Sequence, residues 1–402
     1  LDFGAGAFAG DARWLGIQVR CPGDPGYTDL GRQELTAAPY ALFARAAPWA
    51  GLTGVPAGLA DNIDGIEYGN VIVVAKTGGD FASIQEALNS IVAAGEDNRY
   101  LVWVAPGTYH EVVWMVPYVD IQGAGQGLTT ISSSTCGTAT VNGADHAELR
   151  RLTVEQTVAA GCADAWAISN DNASAHIAQV TANASGATHN FGVRNQYGSP
   201  VMSDVTASAT GTSQGNWGIY NYHASASMVN VTASAEGGQG NVGVGNHTSS
   251  ATMTNVTASA SGGLGPNDGL YNESSTVTVT GGTILASGAA ESQGVLNSNS
   301  TITFEGVTVR ASDASDMNHG MRTFGSSLIT RNSLIVATGD DASEECGMYH
   351  FAPTGSYRST IDHSQIVADL TIKYDGGYTV LVGASQLAGG STGGDGTLVC
   401  AG

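Results

Sequence analysis

The central part of the chain alternates apolar and polar residues in short runs that recur at a fixed interval. The phrases "NWGIYN", "NVGVGN" and "NDGLYN" begin at Asn216, Asn241 and Asn267. Half an interval away lies a second run, "DVTASA" from Asp204 and "NVTASA" from Asn230. Val, Ile and Thr alternating between Gly, Asn and Ser are typical of strands and turns. Each period therefore predicts at least two short strands.

One series of asparagines defines the period. Successive members are 25, 26, 25, 26 and 25 residues apart: Asn170, Asn195, Asn221, Asn246, Asn272 and Asn297. A glycine stands three residues before each Asn from Gly192 onward, and it continues at Gly320 and Gly347. Short strands at this period are typical of a solenoid. The sequence predicts an all-β fold, a parallel β-solenoid in which each strand pairs with its equivalent one turn later.

The repeated Asn and Gly have separate predicted roles. We expect the Asn series to form a ladder of stacked amides, each bonding the next along the solenoid axis. Ligand binding by these asparagines is the alternative. We expect the Gly series at a corner of the coil, where the chain needs a positive φ or a close approach of backbones.

A position just before each Asn is predicted to point outward. It holds mainly aromatic and cationic residues: Arg194, Tyr220, Tyr271, Arg322 and Tyr349. Such a row is a candidate surface for a ligand, where rings stack on sugars, or for a neighbouring subunit. The alternative is that these are ordinary exposed strand positions.

The charge of the chain excludes several partners. Its 402 residues contain 14 Lys and Arg against 35 Asp and Glu, a formal net charge of -21. Phosphate backbones would be repelled, so nucleic acid is excluded as a partner. No apolar run of the length needed to cross a membrane is present, and no transmembrane segment is expected. The chain begins without Met or a signal peptide, and we interpret it as processed or partial and extracellular.

The five cysteines suggest one disulfide. Cys136 and Cys162 are 26 residues apart, one period, so they would lie on neighbouring turns about 4.8 Å apart. That separation suits a disulfide, which in turn indicates an oxidising compartment. The pairing of Cys21, Cys346 and Cys400 is left open.

An acidic corner supplies candidate metal ligands. They are Asp313, Asp316, Asp340 and Asp341, about one period apart. Clustered carboxylates bind Ca²⁺ or act as acid and base, but a solvated acidic corner has the same pattern. We expect no metal site and no cofactor, with Ca²⁺ as the open alternative.

The beginning of the solenoid resembles a known family. The phrases "GDFASIQEAL", "VAPGTYHE" and "IQGAGQGLTTI" include one amphipathic helix with Ile84, Ala87, Leu88 and Ile91 on one face, capped by Asp80 or Ser83. This segment is similar to the opening of pectinesterase-like, pectin-lyase-fold proteins. The resemblance implies a right-handed parallel β-helix of 25–26 residues per turn over residues 67–402. It also implies that the helix caps the solenoid.

The first 66 residues form a different unit. "ARWLGIQVRC" alternates like a strand, and "GRQELTAAPYALFARAAPWAGLTGVPAGLADNID" resembles attachment segments of bacterial surface and tail-fibre-like proteins. The resemblance implies a small β module that assembles with copies of itself. The apolar residues Tyr40, Leu42, Phe43, Trp49 and Leu52 would then be covered by a neighbouring copy.

Catalytic motifs would separate an enzyme from a shaft, because the fold hosts both. The chain lacks the paired Asp and Arg phrases of pectinesterases, and no complete galacturonase or lyase set is found. We therefore assign no catalytic residue and expect an extracellular structural or adhesive protein that self-assembles into a filament or trimeric fibre. The alternatives are a carbohydrate-active enzyme, such as a lyase, esterase or hydrolase, and a tail-fibre-like receptor-binding protein. The expected partner is the chain itself, with polysaccharide or another glycan as a candidate ligand.

Overall fold

The computed structural model describes residues 14–23, 25–34, 68–211, 214–339 and 344–400. The chain divides into two compact units, Leu1–Glu67 and Tyr68–Gly402. The first unit contains two described antiparallel strands, β1 (Trp14–Val19) and β2 (Thr28–Glu34). Strand β1 occupies the alternating segment that the sequence analysis assigned to a strand. The self-assembly role of this unit remains a prediction.

The second unit is a right-handed parallel β-helix. Its described residues contain one helix, α1 (Ile84–Ser90), which is not long or apolar enough to cross a membrane. Its strands are, in chain order, β3 (Asn70–Val74), β4 (Tyr100–Val104), β5 (Gly107–His110), β6 (Val113–Trp114), β7 (Val119–Gly123), β8 (Thr129–Ser133), β9 (Val141–Asn142), β10 (Glu148–Thr157), β11 (Asp164–Asp171), β12 (His176–Ser185), β13 (His189–Gln196), β14 (Val201–Ser203), β15 (Thr206–Thr210), β16 (Gly215–Tyr222), β17 (Ser227–Val229), β18 (Thr232–Glu236), β19 (Gly240–His247), β20 (Ser250–Ser261), β21 (Asn267–Glu273), β22 (Thr276–Ser287), β23 (Glu291–Ser298), β24 (Thr301–Glu305), β25 (Thr308–Ser312), β26 (Met317–Phe324), β27 (Ser327–Arg331), β28 (Leu334–Thr338), β29 (Glu344–Asp362), β30 (Gln365–Val382), β31 (Gln386–Gly393) and β32 (Thr397–Cys400).

Parallel pairing from turn to turn gives the coil three faces. The face that carries the Asn series, here called the ladder face, contains β11, β13, β16, β19, β21, β23 and β26, and it ends in β29 and β30. The second face includes β14 and β17, and the third includes β15 and β18. The predicted pairing of each strand with its equivalent one turn later is therefore confirmed.

Helix α1 covers the apolar start of the coil. Ile84, Ala87 and Leu88 are buried, as their spacing on one helical face predicts. The Ser83 hydroxyl accepts a hydrogen bond from the Glu86 backbone amide at 3.2 Å, so Ser83 is the N-cap.

The corners of the coil are made by residues other than the Gly series. Between the ladder face and the second face, Tyr197 and His223 have φ of 53° and 48°. Between the second and third faces, Asp204 and Asn230 both have φ of 53°. Asn, Asp and His are the side chains that tolerate this left-handed conformation best. The turn residues that begin the "DVTASA" and "NVTASA" runs thus bend the chain.

The expectation that the Gly series lies at a corner is wrong. Gly218 lies inside β16, and no glycine at positions 192, 218, 243, 269, 294, 320 or 347 has a positive φ. A Cβ on Gly218 would lie 2.6 Å from the Gly243 carbonyl oxygen and 2.7 Å from the Ser234 amide nitrogen. These positions require glycine because the backbone of the ladder face comes very close to the backbone of the third face, which lies opposite it.

Candidate functional site

The Asn series forms a continuous hydrogen-bonded column inside the coil. Each side-chain Nδ2 donates to the Oδ1 of the next Asn at 2.8–2.9 Å, from Asn170 to Asn297. Every member is 0% exposed: Asn170, Asn195, Asn221, Asn246, Asn272 and Asn297. Amides that bond one another in the interior are not available to a ligand. The Asn series therefore supports the fold and does not bind a ligand.

A second amide column runs parallel to the first and was missed in the sequence analysis. Asn190, Asn216, Asn241 and Asn267 bond from turn to turn at 2.8–2.9 Å. Asn216, Asn241 and Asn267 open the quoted phrases, and Asn190 lies one period earlier, so their own period of 25 and 26 residues was the available signal.

The predicted disulfide pair also joins neighbouring turns. Cys136 and Cys162 form a disulfide with a Cα–Cα distance of 5.6 Å. Cys346 is buried and Cys400 is exposed, and neither takes part in a disulfide. Burial raises the pKa of the Cys346 thiol to about 12, with Glu344 adding to the rise, so this thiol is protonated at neutral pH.

The acidic corner offers little support for a metal site. Asp313 and Asp316 are exposed, and a hydroxyl–carboxylate hydrogen bond of 2.8 Å joins Ser312 to Asp313. Asp340 and Asp341 lie outside the described residues. Across the described part of the chain, no group of three or more His, Cys, Asp or Glu is arranged to hold a metal ion. Calcium binding remains an untested alternative.

The outward row forms one column on the ladder face. Adjacent strands pair Arg194 with Tyr220, and the column runs through Gly245 to Tyr271. It then passes Leu296 and reaches Arg322 and Tyr349. The structure therefore brings together all five candidates: Arg194, Tyr220, Tyr271, Arg322 and Tyr349.

A neighbouring column makes the first half of this face aromatic. Phe191 and Trp217 stack with ring centroids 4.8 Å apart and planes 8° apart. The Arg194 guanidinium lies 5.0 Å over the Trp166 ring. Tyr222 stacks on His247 at 5.2 Å. We call the half-buried rings on this part of the face the aromatic strip: Trp166, Phe191, Trp217, Tyr220 and Tyr222.

Polar residues replace the rings further along the same column. Trp217 pairs with Val242, which is followed by Asp268, Gln293 and His319 on successive turns. The last three, here called the polar column, are 6%, 2% and 1% exposed. Among the described residues, Asp268 Oδ1, Gln293 Oε1 and both ring nitrogens of His319 have no hydrogen-bond partner. Buried polar atoms without partners are rare in folded proteins and mark this place as unusual.

Four charged groups surround the polar column. The Arg322 guanidinium lies 3.5 Å from the Glu291 carboxylate, to which Gln293 Nε2 donates at 3.2 Å. Lys373 Nζ donates to Glu344 at 3.0 Å. His319 Nε2 is 3.9 Å from that same Glu344 oxygen. Cations and carboxylates thus meet on the outer surface of one sheet.

Burial changes the protonation states of the polar column. Desolvation raises the pKa of Asp268 to about 7; the negative charge of Glu291 adds to the rise and Arg322 opposes it. Desolvation lowers the pKa of His319 to about 4, although Glu344 acts in the opposite direction. At neutral pH, His319 is uncharged and a large fraction of Asp268 retains its proton. A protonated carboxyl group can act as a proton donor.

Sequence reasoning missed Asp268 and Gln293. The available signal was a break in the repeat, since the residue after the first Asn of each phrase is apolar in "NWGIYN" and "NVGVGN" but Asp in "NDGLYN". A polar residue at one copy of an apolar repeat position marks a local exception in an otherwise uniform scaffold.

Comparison with known proteins identifies the fold. No protein-family model matches the chain, and no curated protein matches it. The A-module of the mannuronan C-5 epimerase AlgE4 from Azotobacter vinelandii is 15% identical with a TM-score of 0.51, over 82% of this chain and 97% of that one. The Dettilon tailspike protein is 11% identical with a TM-score of 0.53, over 80% and 68%. A carrot pectin methylesterase is 14% identical with a TM-score of 0.30, over 81% and 83%. The chain shares the right-handed β-helix of the pectin-lyase-like fold.

Proposed function

We propose that the ladder face binds an extended polysaccharide and that the protein works outside the cell. The observation that carries this proposal is the aromatic strip, in which stacked rings such as Phe191 and Trp217 follow the coil axis across several turns. Flat apolar rings with polar edges suit the faces and hydroxyl groups of sugars.

Two further features support a glycan ligand. Of the three cations on this face, Arg322 and Lys373 are paired with Glu291 and Glu344, which leaves the Arg194 guanidinium, over the Trp166 ring, to attract the carboxylates of acidic sugars. Two structural neighbours with TM-scores above 0.5 are a mannuronan epimerase and a tailspike. The first of these names refers to an enzyme that acts on mannuronan, a polysaccharide.

Trp217→Ala tests the strip directly. We expect the wild-type protein to be retarded in native gels containing alginate or polygalacturonate, and the variant to bind about tenfold more weakly because a stacking platform is lost. Trp114→Ala is the matched control, since Trp114 is 56% exposed and lies outside the strip. Equal losses of affinity in the two variants would contradict the proposal. So would a wild-type protein that is retarded in none of three gels, containing alginate, polygalacturonate or dextran.

A second candidate function is self-assembly through the first unit. Strands β1 and β2 expose apolar side chains, with Ile17 49%, Val19 45% and Leu30 63% accessible. A two-stranded pair is marginal by itself, and its open edges favour pairing with another chain. The predicted apolar segment with Tyr40 and Trp49 lies outside the described residues.

Deleting Leu1 to Asp61 is expected to leave a monomeric β-helix if this unit carries assembly. Light scattering of the full chain and the shortened chain at matched concentrations measures the difference. Identical assembly of the two chains would show that the first unit is not responsible for it.

A further inference from the structure

Asp268 lies where the aromatic strip meets the charged half of the ladder face. In register, Trp217, Val242 and Asp268 occupy one outward column on three successive turns. A glycan that follows the strip along the axis would therefore extend over Asp268. Asp268 itself is 6% exposed.

The packing around Asp268 is unlike that around a structural buried carboxylate. Asp120, which is 0% exposed, accepts hydrogen bonds from Arg99 at 3.0 Å and from the Glu148 amide at 2.7 Å, and also from Tyr68. Asp268 Oδ1 has no partner in the described part of the chain. A buried carboxyl oxygen without a hydrogen-bond partner destabilises the fold, so its presence indicates a role other than packing.

A second carboxyl group lies next to Asp268 in a different environment. Asp268 pairs across strands with Gln293, and Glu291 is two residues from Gln293 on the same side of β23. Glu291 is therefore a diagonal neighbour of Asp268 in the sheet. Glu291 is paired with Arg322, whereas Asp268 is desolvated. Two carboxyl groups in contrasting environments are the arrangement that divides acid and base roles.

We propose that Asp268 and Glu291 form a glycoside-hydrolysing pair on the ladder face, with Asp268 as the proton donor and Glu291 as the base; this inference rests on the proposed binding of polysaccharide there. Asp268 gives its proton to the glycosidic oxygen as the bond from that oxygen to the anomeric carbon breaks. Glu291 takes a proton from the water whose oxygen forms the new bond to that carbon. Transfer of the proton from Glu291 to Asp268 through solvent restores both groups.

The pH dependence of hydrolysis follows from the groups that face Asp268, which are Glu291, Arg322 and Tyr271. With a pKa of about 7 for Asp268, the proton donor is lost as the pH rises through neutrality. Activity is therefore expected to fall above about pH 7.

The test is release of reducing ends from alginate, polygalacturonate and dextran by the full chain, run beside the gel-retardation assay. We expect Asp268→Asn and Glu291→Gln each to lower kcat by about 100-fold or more, with little change in KM. The matched control is Asp204→Asn, which changes an exposed carboxylate at a corner and should keep wild-type activity.

Four results would overturn the inference. One is a wild-type protein that is retarded by a polysaccharide and releases no reducing ends from it. Another is an Asp268→Asn variant that is as active as the control. Chain ends that carry an unsaturated sugar would assign elimination instead of hydrolysis. Absence of retardation in all three gels would remove the binding proposal and this inference together.

A stability measurement tests the state of Asp268 without substrate. Its folded pKa of about 7 is above the ordinary value of 3.8, so its contribution to stability is complete below about pH 4 and is lost as the pH rises through 7. Asp268→Asn cannot ionise. It is therefore expected to melt at a higher temperature than wild type at pH 8, with a smaller difference at pH 5. Equal melting temperatures at pH 8 would contradict the desolvated state on which the proton donor depends.

Discussion

Gly218→Ala is expected to lower the free energy of unfolding by about 3 kcal/mol or more, because the interior of the coil has no space for a side chain there. The added Cβ would lie 2.6 Å from the Gly243 carbonyl oxygen and 2.7 Å from the Ser234 amide nitrogen. Both are backbone atoms, one on the next turn and one on the facing strand. Neither can rotate away, so two faces of the coil would have to separate.

Thermal unfolding followed by circular dichroism measures this effect. Gly95→Ala is the matched control, because a Cβ at Gly95 meets no atom within 4 Å and its φ is not positive. We expect the control to stay within about 0.5 kcal/mol of wild type. If Gly218→Ala unfolds at the same temperature as Gly95→Ala, the inference that the two faces approach too closely for a side chain is wrong.

Asn246→Leu is expected to cost about 1 to 3 kcal/mol, because it interrupts the amide ladder in its middle. Asn221 Nδ2 donates to Asn246 Oδ1 at 2.8 Å, and Asn246 Nδ2 donates to Asn272 Oδ1 at 2.9 Å. Leucine is similar in size but has no polar atoms in its side chain. A donor on one neighbour and an acceptor on the other would be left unpaired where no water reaches them.

The control for the ladder is an asparagine outside it. Asn183 is half-buried on β12, and Asn183→Leu should change the melting temperature little. A melting temperature for Asn246→Leu equal to that of the control would show that the ladder contributes nothing to stability. Because Asn246 points inward and Trp217 points outward, the ladder variant should also keep its affinity for polysaccharide at temperatures where it is folded.

The two sets of variants separate the scaffold from its outer face. Gly218 and Asn246 act through the interior and are expected to change stability. Trp217 and Asp268 act on the outer surface of the same sheet and are expected to change binding and turnover. A β-helix permits this division because successive residues of each strand point to opposite sides of the sheet.

Much of the architecture was determined by the sequence itself. Parallel pairing from turn to turn makes hydrogen-bonded neighbours recur at the period of the repeat, so Asn195, Asn221 and Asn246 are stacked wherever the coil forms. The same reasoning places Cys136 beside Cys162. The resemblance of the opening segment to pectin-lyase-fold proteins supplied the handedness and the helix at its start.

Only the tertiary structure decided which exceptions to the repeat matter. Close approach of backbones was one of the two predicted reasons for the repeated glycines, but sequence spacing does not show that the approach is between two faces and not at a corner. Asp268 owes its retained proton to the desolvation produced by surrounding turns and to Glu291, which comes from the next turn. Sequence specifies which residues recur along the coil, whereas protonation depends on solvent access and on the field of charges, and both exist only once the turns are stacked.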